Sequence, residues 1–497
     1  MYFIGYDIGS SSVKASLVKA DNGLVAASDY YPKHEMDIIA HQHGWAEQNP
    51  EEWWSNLKSA SKAVLHKAGI NGSEVKAIGI TWQMHGLVLI DKDFKVLRPS
   101  IIWCDSRAIS YGEKAFKAIG EDRCLSHLLN SPGNFTASKL AWVKENEPEI
   151  YERIYKFLLP GDYIAMKLSG ETGITVEGLS EGIFWDFKYE QISDDILRHY
   201  GIARNLFPDI IPVFGQQATI CNTAAKELGL QIGTPITYRA GDQPNNALSL
   251  NVTKPGEIAA TAGTSGVVYG VMGTLDFDTR SRVNTFAHVN HTKKDPRLGM
   301  LLCVNGTGIL NSWMKRNLGL GTMSYNDITS LAMQSPIGAN GISIIPFGNG
   351  AERMLENKHL DCSIHGINFN NQDRRDLLRA AQEGISFAMN YGISILSQIG
   401  ISPTSLRTGY ANMFLSPLFV QTLSNISGIT IDLFDTDGAT GAARAAGYGL
   451  QYYASYDEAF SALEKMASIS PIENETEKCR EVYEKWLSIL TTKTNNY

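Results

Sequence analysis

Residues 239–246 read Arg239-Ala240-Gly241-Asp242-Gln243-Pro244-Asn245-Asn246, and residues 262–266 read Ala262-Gly263-Thr264-Ser265-Gly266. An acidic residue stands shortly before a turn of small, hydroxyl-bearing residues. The N-terminus carries a matching turn, Asp7-Ile8-Gly9-Ser10-Ser11-Ser12-Val13-Lys14. Such turns offer backbone N–H groups and hydroxyls to an anion. Two of them can face each other across a cleft, with Asp7 and Asp242 supplying carboxylates. That set suits a nucleotide, a magnesium ion and an alcohol to be phosphorylated.

The elements flanking the turns set the fold class. Residues 2–6, 12–18 and 24–31 read as strands joined by Ser10-Ser11 and by Asp21-Asn22-Gly23, a hairpin signal. This meander is neither a P-loop nor a Rossmann unit, both of which lead from strand into helix. A helix is expected over 50–68, with Trp53, Leu57, Ala60 and Val64 on one face. Strands follow at 75–80 and 87–91. The second half repeats the logic: strand 256–261, turn 263–266, strand 267–272. A long helix is expected over 373–399. A capped one starts at Ser416-Pro417 and stops at Gly428, and a small-residue helix opens at Asp437-Gly438. The recurrence of strand–turn–strand in both halves predicts an α/β protein built from a duplicated domain.

Composition narrows the function. At 497 residues the chain exceeds what one hydrophobic core supports. Lys+Arg 44 against Asp+Glu 52 gives a net charge of −8 with no dense basic block, which argues against nucleic acid as a partner. The six cysteines form no CxxC pair and read as reduced thiols. The first residues lack the basic and apolar regions of a signal peptide, and no apolar run of about 18 residues exists. A cytoplasmic protein without membrane spans is expected; a homodimer is left open.

Further stretches carry a resemblance. Asp7 to Lys14, Gly44-Trp45-Ala46-Glu47-Gln48-Asn49-Pro50, residues 134–146 and residues 366–383 are together similar to the signatures of the FGGY carbohydrate kinases, over about residues 2–455. The resemblance implies two actin-like, ribonuclease-H-like domains with a cleft between them. Residues 1–247 would bind sugar and carry the catalytic aspartate, and residues 248–497 would bind the nucleotide. ATP and Mg²⁺ are the implied cofactors. Gln83-Met84-His85-Gly86, Trp103-Cys104-Asp105-Ser106-Arg107, residues 158–163 and Ala351-Glu352-Arg353 most resemble family members acting on D-xylulose. Phosphorylation of a ketopentose, D-xylulose to D-xylulose 5-phosphate, is therefore expected. Ala240-Gly241-Asp242-Gln243 is nearer to members acting on glycerol, and Thr408-Gly409-Tyr410-Ala411-Asn412 departs from the usual glycine-rich adenosine turn. The alternatives are a ribulose- or glycerol-type kinase and, in a different class, an actin-like ATPase or a non-catalytic sugar sensor.

The resemblance assigns roles. Asp242 is the expected catalytic base, and Asp7 with Asp242 the metal anchor. Met84, His85, Trp103, Asp105 and Asp242 are expected at the sugar. Gly9, Ser10, Ser11, Gly263, Thr264, Ser265, Gly306, Gly409 and Asn412 are expected at the nucleotide. Trp103, Asp105 and Arg107 also fit a buried ion pair beside a packed indole. Lys14 reads equally as a solvated strand residue.

Overall fold

The computed structural model describes residues 1–319, 322–348 and 350–495. The N-terminal meander forms β1 (Tyr2–Ile8), β2 (Val13–Lys19) and β3 (Val25–Tyr31), each antiparallel to the next. Helix α1 (Pro50–Ala68) begins where Asn49 accepts from the Glu51 N–H and Pro50 fills the first turn. It ends at Gly69 in the left-handed conformation. Its face of Trp53, Leu57, Ala60 and Val64 is buried against β2 and β3. Strands β4 (Val75–Trp82), β5 (Phe214–Thr219) and β6 (Pro235–Gly241) complete a sheet of order β5-β6-β4-β1-β2-β3, with β1, β4 and β6 parallel.

The second sheet contains β7 (Ile258–Ala262), β8 (Gly266–Met272), β9 (Asn284–Ala287), β10 (Leu298–Val304), β11 (Ser405–Gly409), β12 (Thr430–Asp435) and β13 (Glu464–Ile469). Its order is β9-β10-β8-β7-β11-β12-β13. Here β7 is antiparallel to β8 and parallel to β11, as β1 is antiparallel to β2 and parallel to β4. The five strands β6-β4-β1-β2-β3 therefore match β12-β11-β7-β8-β10 in order and direction. The duplication expected from the two turns is present, and each turn occupies the same place in its sheet, between the first two strands.

A helix follows the last parallel strand of each half: Asp242–Ser249 after β6 and Gly438–Gly449 after β12. The two helices pack against each other, and each crosses to the other half. Helix Gly438–Gly449 lies on β1, β4 and β2, although it belongs to the second half of the chain. A side-chain carbon on Gly5 or Gly79 would come within 2.0 Å of the Ala439 or Ala442 carbonyl oxygen. Only glycines on the sheet, facing small residues on the helix, permit that approach. Position 247/248 falls inside the first of these helices, which touches both sheets, so the two halves meet through packed helices. The expected long helix runs from Arg374 to Gln398 behind an Asp373 capping box. Among the described residues no helix is long and apolar enough to cross a membrane, and all six cysteines are free.

Candidate active site

The β1–β2 turn closes with the Gly9 N–H on the Ser12 carbonyl at 3.1 Å. Gln48 braces it from behind: its Nε2 donates to the Ser10 carbonyl at 2.6 Å, and its Oε1 accepts from Trp53 Nε1 and Gln83 Nε2 at 3.1 and 3.2 Å. Asp7 stands at the end of β1. Burial, then the Asp437 carboxylate, push its pKa up to about 7, against the pull of Lys14. Lys14 is not a solvated strand residue. It bonds Asp437 at 2.5 Å, and Asp437 caps helix Gly438–Gly449 through the Thr440 N–H.

Asp242 is the first residue of its helix. A helix N-terminus favours a carboxylate. Burial outweighs that effect, and with Asp7 facing it the Asp242 pKa is raised to about 7. Among the described residues no lysine or arginine forms an ion pair with Asp242. Asp7 and Asp242 are hard oxygen donors close enough for the charge of Asp7 to raise the pKa of Asp242, a donor set that fits Mg²⁺.

On the first-half side of the cleft, His85 adopts a positive φ of 64°. Its Nδ1 lies 3.0 Å from the Glu181 carbonyl oxygen. A carbonyl can only accept, so Nδ1 carries the proton and Nε2 is the acceptor. Burial and the nearby Lys139 hold the imidazole neutral, with a pKa of about 3. Lys139 donates to the carbonyls of His85 and Ile102 at 2.8 and 2.9 Å. Trp103 is 51% exposed at the rim, its Nε1 3.5 Å from Ser10 Oγ.

Two residues expected at the sugar are enclosed by protein. Asp105 is 0% exposed. Its oxygens take Arg107 Nε at 2.9 Å, Arg107 Nη2 at 2.6 Å and the Ala46 N–H at 2.6 Å. Arg107 in turn lies over Trp45 and Trp142, not Trp103. A carboxylate so enclosed holds the fold and does not face a ligand. Met84 is 4% exposed and packs its Cγ on Gly241, behind the cleft surface.

In the second half a cavity of about 540 Å³ is lined by Gly263, Thr264, Gly308, Arg316, Tyr325 and Asn412, and another of about 970 Å³ lies on the first half near Trp54 and Lys167. The smaller one is relevant because it ends on the β7–β8 turn. Carbonyls of Gly263 and Thr264 accept from the N–H groups of Gly308 and Ile309 at 2.9 and 3.0 Å. Asn412 approaches Gly263 with a positive φ of 54°. Ser265 follows in the same turn. Gly409 ends β11 without lining the cavity. Gly306 is also corrected: it is buried against the Pro346 carbonyl, and Gly308 takes the place expected for it. Sequence reasoning missed Gly308, Arg316, Tyr325, Lys139, Glu177 and Glu181. The repeat Gly306-Thr307-Gly308 was the one available signal.

Two sheets of matching strand order, joined through packed helices, define a two-domain α/β protein with a small-residue turn at the same place in each domain. The chain belongs to the FGGY family of carbohydrate kinases, whose N-terminal domain matches residues 2–249 and whose C-terminal domain matches residues 258–450. It is a sugar kinase that uses ATP. It is similar to the xylulose kinase of Bacillus subtilis (strain 168), 29% identical across 99% of this chain and 97% of that one. The xylulose kinase of Escherichia coli (strain K12) is 28% identical across 89% of each. The same fold occurs in the crystal structure of xylulose kinase from Rhodospirillum rubrum, with a TM-score of 0.89 and 23% identity over 99% of both chains. It occurs too in glycerol kinase from Plasmodium falciparum with ADP, at 0.87 and 20% identity over 98% of this chain and 97% of that one.

Proposed function

We propose that the protein transfers the γ-phosphoryl group of ATP to D-xylulose, giving D-xylulose 5-phosphate and ADP. Residues 1–247 hold the sugar and residues 248–497 the nucleotide. Asp242 accepts the proton of the terminal hydroxyl as its oxygen bonds to the γ-phosphorus and the bond to the ADP oxygen breaks. The supporting observation is the Asp242 carboxylate: among the described residues no lysine or arginine pairs with it, and a pKa raised to about 7 suits a base working at neutral pH. His85 Nε2 accepts a hydrogen bond from a second sugar hydroxyl. The turns at Gly9-Ser10-Ser11 and Gly263-Thr264-Ser265 cradle the phosphates, and the cavity at Tyr325, Arg316 and Asn412 takes the adenosine. Asp7, with Asp242 beside it, would hold Mg²⁺. The ion, when bound, offsets the negative charge of the phosphates.

Names of relatives support xylulose over other sugars, and the identity near 28% makes a sugar panel the deciding experiment. ADP release is measured with D-xylulose, D-ribulose, L-ribulose, glycerol and no sugar. The highest kcat/KM on D-xylulose supports the proposal. A preference for ribulose or glycerol replaces the substrate, hydrolysis independent of sugar indicates an ATPase, and sugar binding without turnover indicates a sensor.

A further inference from the structure

Glu177 and Glu181 lie on the short helix Val176–Glu181, one turn apart and wholly buried beneath the cleft. Among the described residues no lysine or arginine forms an ion pair with either. Glu177 Oε2 accepts from the Gly241 N–H at 3.2 Å. Glu181 Oε1 accepts from Trp82 Nε1 at 3.1 Å and from the His85 N–H at 3.3 Å. The other two oxygens, Glu177 Oε1 and Glu181 Oε2, are buried without a hydrogen-bond partner. Both border one point: a side-chain carbon on Gly241 would lie 3.2 Å from the first and 2.6 Å from the second.

Two unpaired anions cannot persist side by side in an apolar interior, and two acceptor oxygens cannot satisfy each other. One proton between them removes both conflicts. We propose that Glu177 and Glu181 share a single proton between Oε1 of the first and Oε2 of the second, and that this acid–carboxylate pair positions Asp242 and His85 relative to each other. The proposal rests on Asp242 as the base. The pair grips Gly241, the residue before Asp242, at one end. At the other, Glu181 Oε1 takes the His85 N–H, and the backbone carbonyl of the same residue takes Nδ1–H. Burial raises the proton affinity of Glu177, and burial followed by repulsion from Glu177 raises that of Glu181, so the two do not both ionise at neutral pH. Both act as positioning residues, since neither reaches the cleft.

Glutamine imitates a permanently protonated member of the pair. Its amide oxygen accepts where the carboxylate accepted, and its NH₂ donates where the proton stood. In Glu181→Gln the oxygen keeps Trp82 and His85 while the NH₂ donates to Glu177 Oε1. In Glu177→Gln the oxygen keeps Gly241 and the NH₂ donates to Glu181 Oε2. Either single variant is expected to retain kcat within about threefold. The double variant must place two NH₂ groups face to face or turn one onto an N–H. Its kcat should fall about 100-fold with KM for ATP unchanged, the effect of a misplaced reacting group.

The proton itself is read by infrared spectroscopy of the full-length protein at neutral pH, with only glutamate carboxyls isotopically labelled. Wild type should show a protonated-carboxyl component that both single variants lack. Identical spectra overturn the proposal, as does a double variant no worse than the singles, or singles as impaired as the double. Were wild type to show no sugar-dependent turnover, the catalytic assignment would fail, and the infrared difference would still decide the shared proton.

Discussion

Asp242→Asn should abolish turnover and make the protein more stable. The amide preserves the shape of the side chain but cannot take the hydroxyl proton, so kcat is expected to fall about 10²- to 10⁴-fold. Stability follows from the raised proton affinity of this carboxyl, from 3.8 to about 7. Each tenfold in proton affinity corresponds to about 1.4 kcal/mol, so ionised Asp242 costs the fold about 4 kcal/mol. Solvent at the cleft surface screens part of this, leaving about 2 kcal/mol. The folded-state pKa lies above the unfolded one. The penalty is therefore absent below about pH 4, grows up to about pH 7 and is complete above it. Asparagine removes the charge, so its melting temperature should exceed that of wild type by a few degrees near pH 8.5, and by less near pH 5.5. Coupled ADP release with D-xylulose measures the first effect, thermal melts at the two pH values the second, and calorimetry with a non-hydrolysable ATP analogue checks that nucleotide binding survives. Turnover within about threefold of wild type would remove Asp242 from the chemistry. A melting temperature below wild type at alkaline pH would show that the carboxylate has a stabilising partner and would refute the charge argument.

His85→Asn keeps a residue that tolerates positive φ but withdraws the acceptor nitrogen. An unpaired sugar hydroxyl costs about 1–3 kcal/mol, so kcat/KM for the sugar should fall about 5- to 150-fold with sugar-independent hydrolysis unchanged; weakened ATP binding instead would move the sugar pocket elsewhere. Gly438→Ala places a methyl group 2.5 Å from Asp7 Oδ2 and must displace that carboxylate. The Mg²⁺ concentration for half-maximal turnover should rise about 10- to 100-fold, and an unchanged Mg²⁺ titration would take Asp7 out of the metal site. Sugar with a non-hydrolysable ATP analogue should lower the radius of gyration seen by small-angle scattering, because the two turns belong to different domains that the bound substrates would draw together. The same radius under saturation would contradict a closing cleft.

What the sequence discloses follows the range of the interactions. Strands β1 to β3, helix α1 and the Asp437 cap are local: their turns, caps and apolar spacings lie within a few residues, and the structure follows them closely. Both phosphate turns are local as well, and their recurrence was enough to foretell a duplicated sheet. The failures are all long-range. Asp105 looks like a pocket residue until Arg107, Ala46 and the rings of Trp45 and Trp142 close around it. Met84 is beside His85 in the turn after β4, yet the left-handed backbone at His85 sends the two side chains to different sides, one onto Gly241 and one towards Glu181. Gly306 and Gly308 are two residues apart, and only the approach of Pro346 decides which of them lines the cavity. Glu177 and Glu181 carry no pattern that separates them from an exposed helical pair. Their significance arises when residues some sixty positions later, Gly241 and Asp242, fold back over them. The turns proposed to bind phosphate are thus written in contiguous residues. The parts that aim the base and the histidine depend on which distant residue covers a buried polar group.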